Sequence, residues 1–140
     1  MAAQRELRCH VGVGPEVSGE ALVTDDDFSA RYDLDRIKGI FVRPQHKLVG
    51  ESYVGKVLVV NTAKGGVASA WMLHEMAMRA MAPAAILFNR VNPILVQGAV
   101  LADMALCDRF EAGDVTKLIR TGERVTVYPQ EGRVVIEPPG

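Results

Sequence analysis

The sequence predicts an α/β domain in a β/β/α arrangement, with strands concentrated in its N-terminal part. Three observations lead there. A continuous apolar run, Val57-Leu58-Val59-Val60, follows Gly55-Lys56 and passes through a glycine loop into a helix-length segment. Residues Ala84 to Phe88 and Pro93 to Ala102 repeat the order of strand then helix. Finally, Arg124 to Tyr128 and Arg133 to Ile136 flank Gln130-Glu131-Gly132, a hairpin signal.

In chain order, Leu7, Cys9, Val11 and Val13 alternate with Arg8, His10 and Gly12, the period of a strand, and Gly19-Glu20-Ala21-Leu22-Val23 reads as a second. The stretch from Asp25 to Lys38 is polar, carries three consecutive acids and has no clean period, as expected of a surface loop that covers or borders something. Gly39 to Val42 reads as extended, and Pro44 holds Arg43 extended as well. The run after Gly55 is expected to be the central strand. In the helix that follows, about Ala68 to Arg79, residues Ala68, Met72, Met76 and Ala80 fall on one face and Pro83 is the expected stop. Pro93 suits the first turn of the second helix. One domain over 1–140 is expected, with a frayed tail at 137–140 where two prolines remove backbone donors.

Composition narrows the function. The 140 residues are 49% hydrophobic and 24% charged with a net charge of −1, which gives no electrostatic support for binding nucleic acid or an anionic membrane. No apolar run approaches the roughly eighteen residues that cross a bilayer. Cys9 and Cys107 lie far apart without CxxC spacing, and no basic segment followed by an apolar one opens the chain, so the cytoplasm is the expected compartment.

Among segments that carry chemistry, Lys64-Gly65-Gly66-Val67-Ala68-Ser69 is the most informative. A glycine pair between a buried strand and a helix lets the backbone approach an anion at the helix N-terminus. A tight turn explains the glycines equally well, and a cap or small surface residue explains Ser69. His46 sits in the cationic loop Arg43-Pro44-Gln45-His46-Lys47, which either meets an anionic substrate or is simply solvated. Asp25-Asp26-Asp27 reads as a solvated acidic turn, with cation binding the alternative. His10, His46 and His74 have no mutual spacing that places two ligands on one face, so no metal site is expected within the chain. His74 reads as a helix-surface residue, and the two cysteines as small buried hydrophobes.

The series Gly19-Glu20-Ala21-Leu22-Val23, Asp35, Gly39, His46, Gly50-Glu51-Ser52, Gly55 to Val59, Lys64-Gly65, Leu73-His74-Glu75, Ala82 to Ile86 and Pro93 to Ala99 resembles the small subunit of aconitase X over about residues 10–108. The resemblance implies a swivelling domain similar to that of aconitase, forming one wall of an active site. Iron or an iron–sulfur cluster and most substrate contacts are then expected on a large catalytic subunit, with no cofactor bound by this chain. It also implies dehydration of a small anionic substrate, in which a base takes a proton from the carbon beside a carboxylate. Members act on cis-3-hydroxy-L-proline or on phosphomevalonate.

This chain departs from the family's loop, which reads Gly-Lys-Gly-Ser-x-x-Gly-Ser. The usual proton-accepting serine falls on Gly66, the later serine falls on Ala70, and Ser69 is displaced by one residue, about 100° around a helix. Tyr32-Asp33 replaces a glycine pair and is expected to reshape the pocket rim. The expected site is therefore Ser69 as base, with Lys64, Gly65, Gly66 and His46 binding substrate. The loss of loop hydroxyls leans toward cis-3-hydroxy-L-proline, and phosphomevalonate dehydration is the alternative. A non-catalytic partner that only stabilises the large subunit is the reading from another class.

Overall fold

A computed structural model of the chain describes residues 4–29, 33–64 and 67–138. In chain order the elements are β1 (Arg5–Arg8), β2 (Val17–Val23), β3 (Leu34–Asp35), β4 (Ile40–Phe41), β5 (Val57–Thr62), α1 (Val67–Met78), β6 (Ala85–Arg90), α2 (Pro93–Leu101), β7 (Ala105–Cys107), α3 (Val115–Leu118), β8 (Arg124–Tyr128) and β9 (Arg133–Glu137).

A seven-stranded sheet runs in the order β1-β9-β8-β2-β5-β6-β7. Strands β2, β5, β6 and β7 pair in parallel, whereas β1, β9, β8 and β2 pair antiparallel. The middle position belongs to β2, the strand shared by both halves, and β5 is one of the two inner strands of the parallel half, with β6, rather than the centre. Side chains alternate along the parallel strands. Leu58, Val60, Ile86 and Phe88 meet α1 and α2 through Leu73, Met76, Leu95 and Ala99. Val57, Val59, Ala85 and Leu87 meet Leu7, Val125, Val127, Val134 and Ile136 of the antiparallel half, together with Val115. Two β layers and one helical layer result, the β/β/α arrangement expected. No helix of the described residues is long and apolar enough to cross a membrane.

The helices differ from expectation in their faces and ends. In α1 the buried residues are Ser69, Ala70, Leu73 and Met76, so of the expected face only Met76 is inside. The contact with α2 sets this rotation, because a Cβ added to Gly98 would lie 2.7 Å from the Ala70 Cα. Nor does Pro83 stop α1. Ala80 turns left-handed at φ 56, the Met81 N–H reaches the Met76 carbonyl at 3.0 Å and the Ala80 N–H reaches Ala77, closing a Schellman turn. At the other boundary, α2 starts at Pro93 with Asn92 as N-cap, its side chain accepting from the Leu95 N–H.

The acidic stretch is less of a surface loop than its composition suggests. Phe28 is 0% exposed and rings with Phe41 and Phe88, and Leu34, Ser29 and Asp33 are buried beside it. Short polar spacers hid these anchors, since one aromatic among acids makes no period. Along the N-terminal segment, pairing ends at Arg8, Val11 stays exposed, and Val13 rejoins only by a bridge to Leu106. At the C-terminal hairpin, Gly132 turns left-handed at φ 62 between β8 and β9 as the sequence signalled.

Candidate functional site

Parallel strands β2, β5 and β6 end at one edge of the sheet, the side on which open α/β sheets place ligands. There Lys64 follows β5 and α1 begins three residues later. The segment after β2 runs alongside: the Phe28 N–H donates to the Thr62 carbonyl at 2.9 Å and the Lys64 N–H to the Phe28 carbonyl at 2.8 Å. Lys64 is thereby fixed in backbone while its side chain stays half exposed.

Asp27 organises this corner. Its Oδ1 accepts the Thr62 hydroxyl at 2.7 Å, the Thr62 N–H at 3.2 Å and the Asn61 side-chain N–H at 3.0 Å. Its Oδ2 stands 3.8 Å from Lys64 Nζ. The Thr62 hydroxyl foremost, with Thr62 N–H and Lys64, holds the Asp27 carboxyl below the usual carboxylate range.

His46 is not a solvated loop residue. It is 4% exposed, its ring stacks on Phe41 at 4.7 Å, and its Nδ1 accepts the Leu48 N–H at 3.1 Å. Nε2 therefore carries the proton and donates to the Asp27 carbonyl at 3.1 Å. Behind it Asp33, 1% exposed, accepts from the Ser29 N–H and from Arg43 Nη1 at 3.2 Å. Asp33 thus lies inside as an anchor for Arg43 rather than on the pocket rim, and Tyr32 falls outside the described residues. Asp26, Asp27, Arg43, Gln45, His46 and Lys64 line a small polar cavity of about 130 Å³.

The acid triplet has a structural use. Asp25 pairs with Lys47, which holds the Asp25 carboxyl down and the Lys47 ammonium up, and Asp26 accepts the Lys47 N–H at 2.8 Å. Among the described residues no three of His, Cys, Asp and Glu stand where they would hold a metal ion.

Of the residues expected from sequence, Lys64 and His46 come together at this cavity, and Gly65 and Gly66 lie outside the described residues. Ser69 does not join them as an open hydroxyl: it is 1% exposed, on the inner face of α1 with Ala70, Leu73 and Met76. His74 sits on α1 with its ring edge-on to Trp71 and Nδ1 3.3 Å from the Leu101 carbonyl. Sequence reasoning missed Asn61 and Asn89, and took Asp27 only as part of a solvated acidic turn. Asn89 Nδ2 bridges the Asn61 and Asp114 oxygens at 3.0 and 2.8 Å, and its Oδ1 accepts the Val115 N–H. The available signal was polar residues directly after an apolar strand run, Asn61-Thr62 after Val60 and Asn89-Arg90 after Phe88.

The aconitase X swivel domain family matches residues 6–136. The chain is 32% identical over 136 residues to the phosphomevalonate dehydratase small subunit of Methanothrix thermoacetophila, covering 94% of this chain and 99% of that one. It is 38% identical to the protein of that name from Methanopyrus kandleri, covering 88% and 92%. Its fold superposes on a crystal structure of Thermococcus kodakaraensis aconitase X in its holo-form with a TM-score of 0.87 at 26% identity, over 95% of this chain and 98% of that one.

Proposed function

The chain belongs to the aconitase X swivel domain family, and from that premise we propose that it is the small subunit of a two-subunit hydro-lyase acting on a small phosphorylated hydroxy acid. The observation that carries this reading is the Lys64 ammonium, half exposed at the strand ends beside a polar cavity, with Asp27 holding it from behind. An ammonium so placed attracts the substrate carboxylate whose neighbouring carbon loses the proton.

The relatives named phosphomevalonate dehydratase small subunit support a phosphorylated substrate over cis-3-hydroxy-L-proline, the substrate expected from the loss of loop hydroxyls. His46 serves as the floor of the site in this reading, since both ring nitrogens are engaged by main chain. Because Gly66 and Ala70 carry no hydroxyl and Ser69 is buried, we assign proton abstraction to a group of the large subunit. The same observation favours a second reading, in which this chain shapes and closes the active site without doing chemistry.

Iron or an iron–sulfur cluster in the large subunit would supply the Lewis acid for the departing hydroxyl. The described residues of this chain offer no grouping that fits it, so their part is to bind and orient. Trp71, Met78, Val100 and Leu101, each more than half exposed on α1 and α2, are apolar surface that such a partner would cover. We take the cytoplasm as the compartment.

The test is co-expression with the large subunit, followed by assay of water loss from phosphomevalonate and from cis-3-hydroxy-L-proline. Turnover of phosphomevalonate by the complex, lost in Lys64→Gln, is expected. Turnover of the proline derivative alone would overturn the phosphorylated substrate. Full activity of Lys64→Gln on phosphomevalonate would leave the chain in the non-catalytic role.

A further inference from the structure

We infer that a second cavity on the same sheet edge, lined by His10, Arg90 and Arg109, is an anion subsite that receives the phosphate of the substrate; the assignment rests on the dehydratase reading above. The cavity measures about 550 Å³ and opens beside the ends of β6 and β7, one strand over from Lys64. Arg90 is the last residue of β6 and pairs in register with Thr62, the residue that fixes Asp27. Its side chain is exposed, and among the described residues no carboxylate pairs with it. Arg109 stands in the left-handed region at φ 58, where a non-glycine residue is uncommon, and its N–H is tied to the Asn89 carbonyl at 3.1 Å. This turn sets Arg109 on the wall of the cavity, its Nε ion-paired with Asp108 at 3.7 Å.

The lining also contains acids, and they differ in availability. Asp114 Oδ1 is taken by Asn89 Nδ2 and by the N–H and hydroxyl of Thr116, so it serves as the cap of α3. Glu111 has no such engagement among the described residues and opposes an anion. Asn89, on the wall of this cavity, is hydrogen-bonded to Asn61, which in turn donates to Asp27 of the first cavity, so a chain of polar side chains links the two. A substrate with a carboxylate at one end and a phosphate at the other matches two cationic points on neighbouring strand ends. The first cavity provides Lys64 and Arg43, the latter paired with Asp33 at 3.2 Å; the second adds Arg90, which no carboxylate pairs among the described residues, and Arg109, whose ion pair with Asp108 is longer at 3.7 Å. Two further guanidiniums are what a phosphate dianion requires.

Two measurements test the subsite independently. In the isotopically labelled full chain, titration with inorganic phosphate should give saturable amide shifts centred on His10, Arg90, Arg109 and Glu111. Arg90→Gln and Arg109→Gln should weaken that response about tenfold, as expected for loss of one charge-assisted contact, and Glu111→Gln should strengthen it. In the complex, Arg90→Gln and Arg109→Gln should raise KM for phosphomevalonate about tenfold and leave kcat within about twofold, the signature of lost binding common to ground and transition states. Shifts centred on Lys64 and His46, or no saturable shifts, would overturn the subsite. Phosphate binding at Arg90 with unchanged KM would overturn its assignment to the substrate. If the complex dehydrates only the proline derivative, the function fails while the titration still decides whether the cavity binds phosphate.

Discussion

The Thr62 hydroxyl donates to the Asp27 carboxylate at 2.7 Å, joining the end of β5 to the acidic segment that follows β2. That contact makes the corner pH-sensitive in a definite direction. The Asp27 carboxyl is held below its unfolded value, so its stabilisation is complete above about pH 4 and is lost as pH falls through the folded value. Asp27→Asn keeps an oxygen for Thr62 and Asn61 but removes the charge. Urea midpoints measured from pH 7 to pH 2 should show a shallower acid limb for the variant than for the parent, with the gap closing at the lowest pH. Parallel curves would mean that Asp27 titrates alike in both states.

Ser69→Ala is expected to leave turnover of the complex within a few-fold, since a hydroxyl that is 1% exposed on the inner face of α1 does not meet an incoming substrate. Loss of more than about a hundredfold, the size expected of a general base, would restore Ser69 to that role.

How far the sequence could be read depended on whether a signal was carried by a run or by a single contact. The buried strands β5 and β6 were legible because four consecutive apolar residues on each serve both faces of a covered sheet, and the hairpin was legible because Gly132 takes a conformation that glycine supplies at no steric cost. The rotation of α1 was not, because its apolar residues surround the helix and only the approach of Gly98 to Ala70 selects the inner face. At the site, Lys64 was found through its place between strand and helix. Asp27 was hidden among three identical acids, and only the fold separates the one facing Thr62 from the one facing Lys47.

Gly98 gives a direct test of that helix contact. Added atoms would meet Ala70 at 2.7 to 2.8 Å, partly on backbone, so neither helix can yield without moving off the sheet. Gly98→Ala should cost about 1–3 kcal/mol despite the better helix propensity of alanine, and Gly98→Val more. Chemical denaturation reads the difference, and an alanine variant as stable as the parent would show that α1 and α2 are less closely held.

Tyr53 poses the opposite case, a polar atom whose removal should help. Its ring is 0% exposed and edge-on to Phe41 at 5.9 Å, while its hydroxyl has no hydrogen-bond partner among the described residues. Burial of an unsatisfied hydroxyl costs about 1–3 kcal/mol, so Tyr53→Phe, which keeps the ring packing, should be neutral or stabilise by about 1 kcal/mol. Tyr53→Ala, by contrast, should lose about 3–5 kcal/mol through the cavity it leaves. Burial also pushes the Tyr53 hydroxyl up to about 12. A group raised above its unfolded value contributes stability that is complete below that value, about 10, and is lost as pH rises toward the folded one. The parent should therefore lose stability between about pH 10 and 12 relative to Tyr53→Phe. Denaturant midpoints of the two proteins across that range decide the matter, and curves that stay parallel there would mean that the hydroxyl finds a partner or ionises alike in both states.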